Sequence, residues 1–117
     1  MHVEDNPSNV LLVERTLTRH AGLQVVAVGT VAEAVDRIRA LHPALVLLDL
    51  HLPDGDGGEV LAALRRDPAT RDLPVVVVSS DATDVARARL ADAGASDFLT
   101  KPIDLRRLLD AVRCALA

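Results

Sequence analysis

Residues 44–49 read Ala44-Leu45-Val46-Leu47-Leu48-Asp49, an apolar run that follows the breaker His42-Pro43 and ends on a charge. The run is too short for a helix. An unbroken aliphatic stretch is what a strand covered on both faces requires, so it reads as a central strand of a parallel sheet with Asp49 at its carboxyl end. Pro74-Val75-Val76-Val77-Val78-Ser79 repeats the pattern and closes on a hydroxyl.

Outward from these strands the chain alternates. Asn6 caps an expected first helix with Pro7 at its first position and Val10, Val13 and Leu17 on one face, ending near Gly22. Gln24 to Val28 reads as a strand, and Thr30-Val31-Ala32-Glu33 is a capping-box pattern that opens a helix with Val31, Ala34, Val35, Ile38 and Leu41 inward. The loop Leu52-Pro53-Asp54-Gly55-Asp56-Gly57 is dense in turn residues, its part from Asp54 to Gly58 reads as flexible, and a helix carrying Val60, Leu61 and Leu64 follows. A fourth helix is expected from about Asp84 to Ala93, closed by Gly94, and a fifth strand from Asp97 to Thr100. Asp104 then caps a last helix with Leu105, Leu108, Leu109, Val112 and Leu116 inward.

Strict alternation of strand and helix predicts an α/β fold, a doubly wound five-stranded parallel sheet with five helices, and the 117 residues make one domain, 1–117. The first strand is the weak point. Only Met1-His2-Val3 precedes Glu4-Asp5, where a buried strand usually has about five or six residues. The expectation is a truncated first strand, its upstream residues lost or belonging to a longer parent chain.

Half the residues are hydrophobic but Phe98 is the single aromatic, so the core must be aliphatic. The net charge of -4 disfavours direct nucleic-acid binding, which draws on a basic face. Cys114 is alone, and the polar start lacks an apolar signal core. No apolar run approaches the roughly 20 residues of a membrane span, so a cytoplasmic, reduced chain is expected.

The unusual residues sit where such folds do chemistry, beyond the carboxyl ends of the strands. Glu4 and Asp5 follow strand one, Asp49 ends strand three, Ser79 ends strand four, and Lys101 follows strand five, while strand two ends blandly in Gly29-Thr30. A strand order of 2-1-3-4-5 would gather every polar end and leave the bland one at the edge. Three carboxylates brought together raise one another's pKa unless a cation intervenes. With oxygen ligands only, a hard ion such as Mg²⁺, or Mn²⁺, fits better than zinc. Phosphoryl transfer asks mainly for positioning and charge neutralisation, which a metal and one ammonium supply. Lys101 is the only lysine beside twelve arginines, and a compact point charge is what an arginine fork would not reproduce.

With Glu4-Asp5-Asn6, Asp49 in LLDLHLPDGDG, Ser79 in VVVVSSDAT, Ala93-Gly94-Ala95 and Lys101-Pro102 in this order, nearly the whole chain resembles the receiver domains of two-component response regulators. The resemblance implies a flavodoxin-like fold. It makes Asp49 the phosphoacceptor and has Asp5, Asp49 and the backbone carbonyl of His51 bind Mg²⁺, with Glu4 acting through water. Lys101 would contact a phosphoryl oxygen and be joined to Pro102 by a cis peptide. Ser79 and Phe98 would report phosphorylation, the hydroxyl moving to the phosphoryl group and the ring turning into the vacated space. Implied partners are a sensor histidine kinase or histidine phosphotransfer protein, and an output partner on the face of helix four, strand five and helix five, with homodimerisation left open. The phrase VEDNPSNVLLVERTL is similar to receivers attached to hybrid histidine kinases. Ile103 stands where an aromatic is frequent after Lys-Pro.

Plainer roles compete for each residue. Asp49 could be a turn former, Glu4-Asp5 could favour the positive end of the first helix, and Lys101 could be a solvated charge. Ser79 competes with Ser80, Asp81 and Thr83 as a helix cap, and Phe98 could be ordinary core. Asp54 to Gly58 lacks the spacing of a calcium loop, and no dinucleotide or Walker pattern is present. His2, His20 and His42 are expected at the surface or in caps, and His51 near the site, where it would tune dephosphorylation. Two rival functions remain: an aspartyl phosphohydrolase, which normally has a second Asp where His51 stands, and a receiver-like interaction module that takes no phosphate.

Overall fold

The computed structural model describes residues 1–80 and 83–116. In chain order the elements are β1 (His2–Val3), α1 (Pro7–Ala21), β2 (Ala27–Val28), α2 (Val31–Leu41), β3 (Val46–Asp49), β4 (His51–Leu52), β5 (Gly55–Asp56), α3 (Gly57–Arg66), β6 (Val75–Ser79), α4 (Asp84–Asp92), β7 (Asp97–Thr100) and α5 (Leu105–Leu116). Five strands form one parallel sheet in the order β2-β1-β3-β6-β7. This is the expected flavodoxin-like order, with β6 and β7 as the fourth and fifth sheet strands. Part of the stretch expected as a loop instead forms an antiparallel hairpin, β4 and β5, with His51 facing Asp56 and Leu52 facing Gly55.

The aliphatic runs form strands because both of their faces are covered. Val46, Leu48, Val75 and Val77 face one apolar layer with Ile38, Leu61, Leu64 and Leu90, from α2, α3 and α4. Leu47, Val76 and Val78 face the other, with Val13, Leu17, Leu108 and Val112, from α1 and α5. Each side chain so buried contributes on the order of 1.5–3 kcal/mol. The alternation of neighbouring residues between layers fixes the register, since a slip of one residue would exchange the two cores.

The helix ends follow the capping residues. Asn6 Oδ1 accepts from Ser8 N at 2.9 Å, Thr30 Oγ1 from Glu33 N at 3.2 Å and Asp104 Oδ1 from Arg106 N at 2.9 Å. Thr83 caps α4 through Ala86 N, so Ser79 is not needed there; Asp81 lies outside the described residues. Gly94, at φ +102°, follows α4, and a Cβ there would strike Arg65, whose Nε and Nη2 donate to Gly94 O at 3.0 and 2.9 Å.

Several sequence readings need correction. β2 is shorter than Gln24 to Val28, because β1 offers it only His2 and Val3 as partners. Leu41, Leu105 and Leu116 are exposed rather than inward, since they lie at helix ends beyond the sheet's cover. His2 is in the core, not at the surface, because it opens β1 between β2 and β3. An apolar cavity of about 280 Å³ opens beside it at the amino ends of the strands, lined in part by Met1, Val25, Leu45 and Leu47.

Burial pushes the His2 imidazole down from 6.5 to about 4, and its Nδ1 has no hydrogen-bond partner among the described residues. Between these values the unfolded chain binds a proton that the folded chain refuses, so His2 lowers stability as pH falls from about 6.5 to about 4. His2→Leu is therefore expected to raise stability at pH 7 by about 1–3 kcal/mol, by removing an unsatisfied buried group. The gain over wild type should widen on acidification, as measured by urea unfolding at a series of pH values. A gain that stays constant with pH would contradict this account.

Candidate functional site

The sheet order brings four strand ends together at one edge of the molecule. Glu4 leaves β1 buried, Asp49 ends β3 buried, Ser79 ends β6 buried and Lys101 leaves β7 half-buried, with exposed Asp5 beside Glu4. The strand register holds them there: Asp49 lies opposite Val78, and Ser79 opposite Thr100.

Asp49 is held at both oxygens. Its Oδ1 accepts from His51 N at 2.9 Å and its Oδ2 from Lys101 Nζ at 2.6 Å. Lys101 Nζ also lies 3.4 Å from Glu4 Oε2, an ion-pair contact outside hydrogen-bond geometry, and Glu4 Oε1 accepts from Asn6 N at 3.2 Å. Carboxylate oxygens of Glu4, Asp5 and Asp49 lie within 4.8 Å of one another.

The electrostatics follow from burial and crowding. Burial pushes the Glu4 carboxyl up to about 7, aided by the negative charge of nearby Asp49, so near neutral pH this group holds a proton much of the time. Burial would raise Asp49 too. The hydrogen bonds from Lys101 and from the His51 N–H outweigh it and hold Asp49 below its ordinary value. Lys101 shows the same balance with opposite sign: burial disfavours the ammonium, yet the bond to Asp49 leaves its pKa raised. The unit thus carries one firmly ionised carboxylate, one firmly charged amine and one carboxyl poised between forms.

This donor set suits a small hard cation. All the candidate side-chain ligands are oxygens, Glu4 Oε2 is buried without a hydrogen bond, and Asp5 is open to solvent. The apolar cavity is at the other end of the strands and shares none of these residues.

The remaining expected residues take definite places. The backbone N–H of Lys101 donates to Ser79 O at 2.9 Å, and the Lys101-Pro102 peptide is cis. His51 is exposed on β4, beside Asp49. Phe98, on β7, is half-buried against the core, with the Arg87 guanidinium 5.1 Å above its ring. Next to it on β7, Asp97 pairs with Arg107 of α5 at 2.9 and 3.2 Å, so one arginine contact joins β7 to α4 and another joins it to α5. Sequence reasoning missed Arg87, Arg107, Arg65 and Asp54. Arg87 meets Phe98, Arg107 meets Asp97, Arg65 meets Gly94 and Asp54 meets Ala32, all partners 10 to 29 residues away and beyond the reach of local periodicity.

Comparison with known proteins agrees on one family. Residues 1–113 match the model described as the response regulator receiver domain. The chain is 33% identical over 116 residues to the polar-differentiation response regulator DivK of Brucella ovis, covering 99% of this chain and 94% of that protein. It is 38% identical over 113 residues to the sensor protein GacS of Pseudomonas syringae pv. syringae, covering 94% of this chain but 12% of that longer protein. Among solved structures, the signal receiver domain of a signal transduction histidine kinase from Syntrophus aciditrophicus superposes with a TM-score of 0.87 at 29% identity, over 98% of this chain and 86% of that one. The phosphorylated cyanobacterial phytochrome response regulator RcpA superposes with a TM-score of 0.81 at 33% identity, over 97% and 86%. Among the described residues, no helix is long and apolar enough to cross a membrane.

Proposed function

Because this chain belongs to the response regulator receiver domain family of two-component systems, we propose that it accepts a phosphoryl group on Asp49 and uses it as a conformational signal. The observation that carries the reading is the pairing of Asp49 with Lys101 Nζ at 2.6 Å inside a cluster of three carboxyl groups.

Asp5, Asp49 and the His51 carbonyl would hold Mg²⁺, with Glu4 acting through water; Mn²⁺ has the same ligand preference. The ion, when bound, neutralises charge on the phosphoryl oxygens. The phosphoryl donor is a histidine of a sensor kinase or phosphotransfer protein. An Asp49 oxygen attacks phosphorus, the P–N bond breaks, and the electron pair leaves with the imidazole nitrogen, which takes a proton from solvent. Lys101 is 24% exposed at its side chain, free enough to move from Asp49 Oδ2 to a phosphoryl oxygen. The His51 N–H keeps the carboxylate oriented meanwhile.

The signal then passes through Ser79 and Phe98. The Ser79 hydroxyl moves to the phosphoryl group, and the Phe98 ring turns inward, leaving its contact with Arg87. Helix α4 is suited to follow: Leu90 is its only buried residue, and Val85 stands 70% exposed on it. The output partner would read the face of α4, β7 and α5; that partner could be a second copy of this chain. Location in the cytoplasm accords with a histidine phosphodonor.

Incubation with phosphoramidate and Mg²⁺, followed by intact mass, tests the reading. One phosphate per chain on wild type and none on Asp49→Asn supports the switch. Sustained turnover of a phosphate ester would favour a phosphohydrolase, and no uptake would favour a module that works unphosphorylated.

Mg²⁺ affinity should also depend on pH. A proton on Glu4 competes with the cation, so affinity is expected to fall by up to roughly tenfold per pH unit below about 7. Calorimetric titration should show the slope in wild type and a flatter profile in Glu4→Gln. Equal slopes would remove Glu4 from the cation's environment.

A further inference from the structure

Asp54 sits at the tip of the β4–β5 hairpin, exposed to solvent. Aspartate in a turn ordinarily bonds to nearby backbone. Here both carboxylate oxygens reach another element: Oδ1 accepts from Val31 N at 2.8 Å and Oδ2 from Ala32 N at 3.1 Å, the first amides of α2. A helix start presents unpaired N–H groups and a positive dipole end, so this carboxylate is well matched to it. Thr30 takes the next amide, that of Glu33. The same hairpin carries His51, whose N–H holds Asp49 Oδ1 at 2.9 Å. Asp56, at its far end, caps α3 through Gly58 N at 2.8 Å.

A ribbon of this size does not hold its own shape in water. It has two facing residue pairs and is fixed at its base by Gly57 N donating to Leu50 O. Its tip is fixed by Asp54. The geometry points to Asp54 as a positioning residue: by tying the hairpin tip to the start of α2, it keeps the His51 N–H on Asp49. The consequence for phosphorylation rests on the reading of Asp49 given above; the hold on His51 does not.

The test compares wild type with Asp54→Ala, Asp54→Asn and Thr30→Ala in the full chain. Two quantities are measured: hydrogen exchange of the His51 amide without added cation, and the rate of phosphate uptake from phosphoramidate with Mg²⁺. Outer partners of this kind are typically worth at least about tenfold. Asp54→Ala is expected to speed His51 exchange and slow phosphorylation by about that factor. Asp54→Asn should recover most of both, since its amide oxygen still accepts from an α2 N–H. Thr30→Ala weakens the same helix start without touching the hairpin, so both readouts should stay at the wild-type level. The inference is overturned if Asp54→Ala leaves His51 exchange unchanged, or if Thr30→Ala matches it in both readouts. If exchange responds as expected but wild type takes up no phosphate, Asp54 keeps its positioning role and the phosphoacceptor reading falls instead.

Discussion

Gly57→Ala is expected to destabilise the fold by about 3 kcal/mol or more, at the upper end of what overpacking costs. Gly57 is buried where the hairpin turns into α3, and its N–H donates to Leu50 O at 2.9 Å. A Cβ there would lie directly on the Asp49 carbonyl oxygen, 2.9 Å from Leu50 Cα and 3.0 Å from the Asp49 carbonyl carbon. All three are backbone atoms of the segment leaving β3, so no side chain can rotate away to relieve the clash. The backbone must move, and Asp49 moves with it. For a chain of this length the melting temperature should fall by roughly 10 °C or more. Gly58→Ala is the control: its Cβ would meet only the side chain of Asp56, Oδ1 at 3.3 Å, which can shift by a few tenths of an ångström without moving backbone. Thermal unfolding of both variants checks this, and a Gly57→Ala melt within a few degrees of wild type would contradict it.

Lys101→Ala should slow phosphate uptake by about 10²-fold, the usual effect of removing one donor aimed at developing charge. The amine sits 2.6 Å from Asp49 Oδ2 and 3.4 Å from Glu4 Oε2, a gap that accommodates a single nitrogen. Lys101→Arg should not restore the rate, because a planar fork cannot occupy a point-charge position between two buried carboxyls. The same variant should fail to transmit the signal: once slowly phosphorylated, its amide NMR spectrum should stay close to that of the unphosphorylated form around Phe98. Uptake and spectral response at wild-type levels in Lys101→Arg would assign the role of Lys101 to charge alone.

The site was legible because its residues are anomalies at predictable places. An acid ending an aliphatic strand, two acids after the first strand and a solitary lysine after the last stand out against the pattern, and the strand order brings those ends together. The hairpin was not legible, since two facing pairs leave no periodic signal and turn residues dominate its composition. His2 was misread because scattered histidines without ligand spacing suggest surface or cap roles, while the pairing of β1 with both β2 and β3 seals it inside. Asp54 was read as part of a flexible loop, because its partners are the Val31 and Ala32 amides, which only the folded start of α2 brings to it.

Where the phosphate lands tests the central claim most directly. The chain would be phosphorylated with phosphoramidate and Mg²⁺ and reduced with borohydride, which converts an aspartyl phosphate to homoserine, and then digested and sequenced by mass spectrometry. The account predicts homoserine at position 49 and nowhere else, absent when Mg²⁺ is chelated. Modification at Asp5 or another acid with Asp49 untouched, or uptake indifferent to the cation, would contradict it.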